Sequence, residues 1–294
     1  MKIVVTGGLG FIGSSFVKMA SARMAHVVVI DKNTYAADRK RLDGWVYDYV
    51  NKDICDDVEF ACKDADYIVN FAAESHVDNS ISNGLPFIRS NVEGTFNMLE
   101  IARKIPTLKK FIQISTDEVY GDIEEGISST VWDNLIPSSY YSATKASADH
   151  LVMAAGRTYG LPYLITRTCN NFGAHQHKEK FLPKIFDSIK NNKDIPVYGD
   201  GEQVREWIWV EDNVRAIWDA MLNDEGIIHI GSRDRWTNKE IIQKVGELLG
   251  DTVSYKFVED RLGHDRRYAL VSTNEITFTL DEFLKEYARE NLDS

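Results

Sequence analysis

Residues 111–121, FIQISTDEVYG, close an apolar run with a hydroxyl and two adjacent acids, Thr116, Asp117 and Glu118. A polar turn after a strand is ordinary. Two carboxyls in one site can also divide acid and base duties, when their surroundings push their pKa values apart. Neighbouring strand residues point to opposite faces, so both acids can address one substrate only where the strand ends and bends. Further along, YYSATK sets Tyr141 and Lys145 at i and i+4, on one face of a helix. A free tyrosine, with a pKa of about 10, is a poor base at neutral pH. Lowering it by about three pH units needs roughly 4 kcal/mol of differential interaction, for which a nearby ammonium in a desolvated cleft is suited. The Thr116 hydroxyl is placed to bond the same group that Tyr141 would deprotonate.

These side chains need a scaffold, and the hydrophobic pattern supplies one. Val- and Ile-rich runs at 2–7, 26–31, 65–72, 110–115 and 162–168 read as buried strands. Helix-like segments lie between them, such as GFIGSSFVKMASA, NVEGTFNMLEIARK and SATKASADHLVMAAGRTYG. Such alternation implies right-handed crossovers and an α/β fold, a doubly wound parallel sheet. Thr116 then falls at the carboxyl edge of the fourth of these strands, where such sheets bind ligands. After residue 170 the rhythm breaks into a loop and a short helix. Residues 205–222 read as a strand leading into a helix that returns to the sheet, and helical patterns recur at 237–250 and 279–290.

The first strand runs into TGGLGFIG, which satisfies both Gly7-x-x-Gly10-x-x-Gly13 and Gly8-x-Gly10-x-x-Gly13. Glycines there let the backbone approach a pyrophosphate seated on a helix N-terminus. The second strand ends in Asp31, where a carboxylate grips adenosine ribose hydroxyls and repels a 2′-phosphate. NAD is therefore expected over NADP, although Lys32 adjoins. A bound nicotinamide cation would add to Lys145 in favouring a Tyr141 phenolate.

A chain of 294 residues buries about 75% of its unfolded surface and needs no staples. Cys55, Cys62 and Cys169 form neither a disulfide framework nor a CxxC site. His175 and His177 lack further ligands at metal-site spacing, so no metal is expected. The net charge of −11 argues against nucleic acid or a membrane surface as partner. With no leader-like pattern and no apolar run near the roughly 20 residues of a membrane span, a cytoplasmic protein is expected.

The glycine loop, Thr116 and Tyr141-x-x-x-Lys145 resemble the extended short-chain dehydrogenase/reductase family. Within it, STDEVYG, AAESHVDNS (72–80), NNFG (170–173), EKFLP (179–183) and DRLGHDRRYA (260–269) are similar to the dTDP-glucose 4,6-dehydratases. The resemblance implies a Rossmann domain over 1–172 with a return segment at about 205–232, and an interleaved sugar-nucleotide lobe over 173–204 and 233–294. It implies that NAD is held by Gly7, Gly10, Phe11, Ile12, Gly13 and Asp31, by Lys32, Asn33, Thr34, Asp53 and Ile54, and by Phe71, Ala72, Ala73, Ser75, Ser90, Tyr141, Lys145 and Asn171. A nucleotide diphosphate sugar would meet Ser75, Thr116, Asn170, Lys180, Phe181 and Pro196, then Tyr198, Arg205, His229, Asp260, Arg261 and His264.

In the family mechanism Tyr141 takes the 4-hydroxyl proton, Glu118 the C5 proton, and protonated Asp117 gives its proton to the departing 6-hydroxyl. Leu262 and Ala174 stand where the family has proline, and His229 where it has asparagine. Segments after Asp31 and Gly121 are short, leaving the nucleotide base and sugar substituents open. A UDP-sugar dehydratase or epimerase remains an alternative, and so does a non-catalytic NAD-binding regulator, against which the presence of Thr116, Tyr141 and Lys145 counts. Apolar stripes on helices near 86–104 and 141–158 suit a homodimer, or simply face the sheet.

Overall fold

The computed structural model describes residues 1–249 and 253–292. The chain begins β1 (Lys2–Thr6), α1 (Phe11–Ala22), β2 (His26–Ile30), β3 (Asp48–Val50), α2 (Glu59–Cys62), β4 (Tyr67–Asn70). It continues α3 (Val77–Ser82), α4 (Leu85–Phe87), α5 (Gly94–Ala102), β5 (Lys110–Thr116), α6 (Tyr140–Tyr159), β6 (Tyr163–Thr168). The second half holds β7 (Asn170–Phe172), α7 (Phe181–Lys190), β8 (Ile195–Tyr198), β9 (Val204–Trp209), α8 (Val210–Asn223) and β10 (Gly226–Ile230). β11 (Arg235–Thr237), α9 (Asn238–Leu249), β12 (Tyr255–Val258) and α10 (Leu280–Leu292) complete it.

Seven strands form one parallel sheet in the order β10-β6-β5-β4-β1-β2-β3. Helices cover both faces, which explains strand sequences that are apolar throughout rather than alternating. Within β1, Ile3 and Val5 enter the core beneath α1 and α8, while Val4 faces the opposite core beneath α5 and α6. The direction of chain travel reverses between β1 and β4, the switch point at which such sheets bind ligands.

Below that edge, the Thr6 hydroxyl donates to Asn70 Oδ1 (2.5 Å), and Asn70 Nδ2 donates to Gln113 Oε1 (2.8 Å). This ladder satisfies polar groups in three neighbouring strands where bare burial would be costly.

The strand and return helix expected over 205–222 form as β9 and α8, with the strand in a sheet apart from the large one. β9 pairs with β7 and β11 in a separate three-stranded sheet, whereas β10 joins the large one. The expected helix near 86–104 is interrupted, by a wider π-helical turn at Ile88–Glu93. The short strands β3, β7, β8, β11 and β12 carry too few residues for a legible period, and patterning did not anticipate them. A third core, including Phe172, Leu182, Ile185, Trp207, Ile241 and Leu284, holds the smaller lobe together.

Glu206, buried in β9, accepts from the Ser232 and Arg233 amides (2.9 and 3.1 Å) and from Arg235 Nε (2.9 Å). It therefore fixes the 231–235 loop to the small sheet. Replacing it by alanine strands these donors, so Glu206→Ala is expected to lose about 3 kcal/mol, measured as a lower urea midpoint at unchanged m-value.

Candidate active site

At the switch point the chain leaves β1 through Gly7, whose φ is +65°. A Cβ there would lie 2.7 Å from the Ala72 amide nitrogen, and one on Gly13 would lie 2.4 Å from the Gly7 carbonyl oxygen. No side chain fits, and the bare backbone leaves a cradle at the start of α1. Asp31 closes one side. Its carboxylate accepts from the Leu9 amide (3.0 Å) and the Asn33 amide (2.8 Å), leaving lone pairs toward the cleft. Lys32 is engaged by Asp53 at 3.3 Å.

The cleft that opens from this cradle has a volume of ≈ 330 Å³. Gly7, Gly10, Phe11, Ile12, Gly13 and Asp31 wall one end, joined by Lys32, Thr34, Asp53 and Ile54. Phe71, Ala72, Ala73 and Ser90 line its middle, and Ser75, Asn170, Asn171, Lys180 and Phe181 its far wall. Thr116, Asp117, Glu118, Tyr141 and Lys145 all reach the same space.

The acid pair arrives there through a change of backbone period. β5 is wholly buried and stops at Thr116, whose hydroxyl caps a 3₁₀ turn over Asp117–Tyr120 by accepting from the Glu118 amide (3.3 Å). About three residues per turn replace the strand's alternation, so both acids turn toward the cleft. Gly121 ends the turn at φ +73°, where a Cβ would meet the Ile136 carbonyl oxygen at 2.1 Å.

Helix α6 starts with a reciprocal cap between Ser139 and Ser142 (3.0 and 3.1 Å), placing Tyr141 in its first turn. Lys145 Nζ donates to the Ile114 carbonyl (2.5 Å), tying the helix to β5. Asn91, in the π-helical turn, donates to the Thr144 hydroxyl and the Glu74 carbonyl (both 3.0 Å) and accepts from the Glu74 amide (2.8 Å). It thereby locks the loop after β4 to the helix that carries Tyr141 and Lys145.

The two acids differ electrically. Burial pushes Asp117 well above the usual carboxylate range, with Glu118 and Glu206 adding to the effect and Arg205 opposing it. Its Oδ2 is buried without a hydrogen-bond partner among the described residues. Glu118 is also raised by burial, but Arg261, Arg205 and Lys180 all pull it back. Burial pushes the Tyr141 phenol far up, Glu118 and Asp117 raise it further, and the Thr116 hydroxyl acts the other way. The protein's own groups thus hold Tyr141 protonated, in contrast to the lowering expected from Lys145. Lys145 itself is pushed down to about 8 by burial, against Asp149.

Several residues expected at the substrate lie elsewhere. His229 faces away from the cleft, buried between Tyr120 and the Val271 carbonyl, because β10 is an edge strand whose end packs under that segment. Arg205 spends its guanidinium on the Val204 and Asp265 carbonyls (both 2.8 Å), over the Tyr268 ring. Its charge still reaches both acids.

Asn33 lies outside the cleft wall, its amide committed to Asp31. Pro196 and Tyr198 sit on β8, also outside it, with the Tyr198 hydroxyl donating to Asp78 (3.2 Å). Arg261 pairs with Asp78 at 3.5 Å, and His264 with Asp260 at 2.6 Å. Sequence reasoning missed Glu74, Cys169, Gln176 and Trp207 in the wall. It also missed Arg41, which donates to the Leu9, Ala36 and His175 carbonyls (2.8, 2.9 and 3.0 Å) and joins three loops around the cleft. Nothing in its local sequence separates Arg41 from the neighbouring surface cations.

A parallel Rossmann sheet with a glycine cradle at its switch point and a Tyr-x-x-x-Lys helix beside it defines a short-chain dehydrogenase/reductase type of protein. The chain belongs to the NAD dependent epimerase/dehydratase family, whose model matches residues 3–231. It is 48% identical to the low-salt glycan biosynthesis protein Agl12 of Haloferax volcanii, over 93% of this chain and 91% of that one. It is 40% identical to dTDP-glucose 4,6-dehydratase 1 of Escherichia coli K12, over 92% and 85%. Among solved structures, DesIV, a dTDP-glucose 4,6-dehydratase of Streptomyces venezuelae with NAD bound, superposes with a TM-score of 0.93 at 37% identity. That superposition covers 100% of this chain and 98% of DesIV.

The lowered Lys145 sets a sign for stability. Its charged form is disfavoured by folding, so the unfolded chain holds the proton more tightly between about 8 and the ordinary 10.5 of lysine. The stability of the wild type relative to Lys145→Met is expected to rise with pH through that window and to level off above it, as measured by urea titration at a series of pH values.

Proposed function

We propose that this chain is an NAD-dependent, retaining nucleotide-sugar 4,6-dehydratase acting on dTDP-glucose, forming the 4-keto-6-deoxy sugar and water. The observation that carries the reading is the pair Asp117–Glu118, turned into one cleft beside Tyr141, with Asp117 pushed up by burial and neighbouring acids and Glu118 pulled back by Arg261, Arg205 and Lys180. Relatives named as dTDP-glucose 4,6-dehydratases support it at the level of the whole chain.

The cradle and Asp31 fit a dinucleotide, which when bound supplies a hydride acceptor for C4 and the hydride that later enters C6. Tyr141 accepts the 4-hydroxyl proton once positive charge in the cleft offsets the surrounding carboxyls, with Thr116 bonded to the same oxygen. The 4-ketone acidifies C5, and Glu118, kept able to ionise by Arg261, Arg205 and Lys180, removes that proton. Asp117, protonated through burial, donates to the leaving 6-hydroxyl. Glu118 then returns a proton to C5. A dinucleotide held by the glycine cradle and Asp31 would be regenerated in each cycle, so these residues would have no need to release it between turnovers.

The smaller lobe, 173–204 and 233–294 together with β7 and β9, carries Lys180 and Arg261 for the diphosphate. Its base preference favours thymidine on the named relatives, with UDP-sugars the second choice. By its likeness to a glycan biosynthesis protein, the product feeds glycan assembly in the cytoplasm.

Incubating purified protein with dTDP-glucose in deuterated water, without added NAD, is expected to give loss of one water and deuterium at C5 by mass spectrometry. Glu118→Gln is expected to lower this rate by about 10²–10⁴-fold. Unchanged mass with inversion at C4 would replace dehydration by epimerisation, and no reaction with any nucleotide sugar would sink the enzyme reading.

The protein is also proposed to be a homodimer. Met98, Leu99, Ile101 and Ala102 of α5 face the sheet, yet Leu85, Ile88, Phe96 and Tyr140 stay exposed on the outer side. Two copies packing these helices together would cover that apolar strip. Sedimentation is expected to give a dimer, and Phe96→Glu a monomer.

A further inference from the structure

Beneath the acid pair runs a buried polar chain that the proposed reaction does not use. Arg167, on β6, is 2% exposed, and its Nε donates to Asp149 Oδ2 at 3.0 Å. Asp149 is itself fully buried on α6, one turn past Lys145 and two turns past Tyr141 on the same face. The other arm of the guanidinium, Nη1, donates to the Tyr120 hydroxyl oxygen at 2.6 Å, with the ring 5.0 Å below. Tyr120 is the last residue of the 3₁₀ turn that carries Asp117 and Glu118.

The chain has one consistent donor direction. His229 Nδ1 lies 3.0 Å from the Val271 carbonyl and must donate to it, which makes Nε2 the acceptor of the Tyr120 O–H at 2.6 Å. The Tyr120 oxygen is then free to accept from Arg167. The links run unbroken from Asp149 Oδ2 to the Val271 carbonyl, Asp149 Oδ1 alone being buried without a hydrogen-bond partner among the described residues, and none of the four members lines the cleft.

We propose that Arg167 is a positioning residue that sets the acid-bearing turn relative to the Tyr141–Lys145 helix, with Tyr120 and His229 holding its outer arm. The inference rests on the dehydratase reading, because only a reaction with separate oxidation and elimination steps needs both groups on one bound sugar. The helix has other anchors: the Ser139–Ser142 cap, the Lys145 bond to Ile114 and the Asn91 bond to Thr144. The turn has its Thr116 cap and the Tyr120 link. Removing the link therefore releases the acids more than the tyrosine, and elimination suffers more than oxidation.

The test uses the holoenzyme in wild-type, Tyr120→Phe and Arg167→Lys forms. After rapid mixing with dTDP-glucose, the near-ultraviolet absorbance of reduced nicotinamide reports the first hydride transfer and its later discharge. In both variants the absorbance is expected to rise at a nearly unchanged rate and then persist, with product formation slowed on the order of 10²-fold. A loss of folding alone lowers both steps together. Equal slowing of the two steps, or no slowing, would overturn the proposal.

A second measurement needs no catalysis. Amide hydrogen exchange is expected to quicken in residues 117–121 of Tyr120→Phe while residues 141–149 stay protected. Uniform quickening, or none, would equally overturn the positioning role. A wild type inactive on every nucleotide sugar would remove the dehydratase reading, and the exchange result would still decide whether Arg167 positions the turn.

Discussion

One hydrogen bond changes the geometry of the whole site: the Thr116 hydroxyl receiving the Glu118 amide. A strand that continued past Thr116 would send Asp117 and Glu118 to opposite faces, one into each helical layer. Closing the chain into a tight turn at that residue gives both acids the same outlook. Gly121 makes the turn affordable, since any side chain there would strike the Ile136 carbonyl. The strand behind it is buried along its full length, so the turn rests on a fully packed base.

Burial then does the chemical sorting. Every ionisable group at this edge loses water, which raises acids and phenols and lowers amines. What separates the groups is their company. Asp117 faces Glu118 and Glu206, which push its carboxyl further up than burial alone does. Glu118 faces Arg261, Arg205 and Lys180, cations delivered by the smaller lobe. Thus the smaller lobe does more than bound the substrate space. Its charges pull the Glu118 carboxyl back from the rise that burial imposes, which sets it apart electrically from Asp117.

How much of this could be read from residues alone follows from how local each signal is. The glycine cradle, Asp31, the Thr116–Glu118 stretch and Tyr141-x-x-x-Lys145 are short-range patterns tied to a strand end or a helix start, and the structure gathers them in one cleft. The five central strands of the large sheet, β1, β2, β4, β5 and β6, were visible because they are buried apolar runs. β7 and β11 were not, since three residues carry no period. His229 and Arg205 show the limit of reasoning by position in a motif. Both are polar residues near the site, but their partners, Val271 for one and Asp265 for the other, come from distant segments that no local pattern identifies. Asn91 was hidden for a different reason: its role depends on a widened helical turn that the apolar spacing of 86–104 does not betray.

The interleaving of the two sheets has a consequence for synthesis. Six of the large sheet's strands, β1 to β6, are complete once Thr168 has been made, and domains tend to fold in order from the N-terminus as the ribosome releases them. Lys180, Arg205, Glu206 and Arg261 all come afterwards, and β7 must wait for β9 to be paired. Until those residues are made, Asp117 and Glu118 lack the charges of Lys180, Arg205, Glu206 and Arg261 that act on them in the complete fold. The electrical difference between the two acids is thus set by residues made in the later part of the chain.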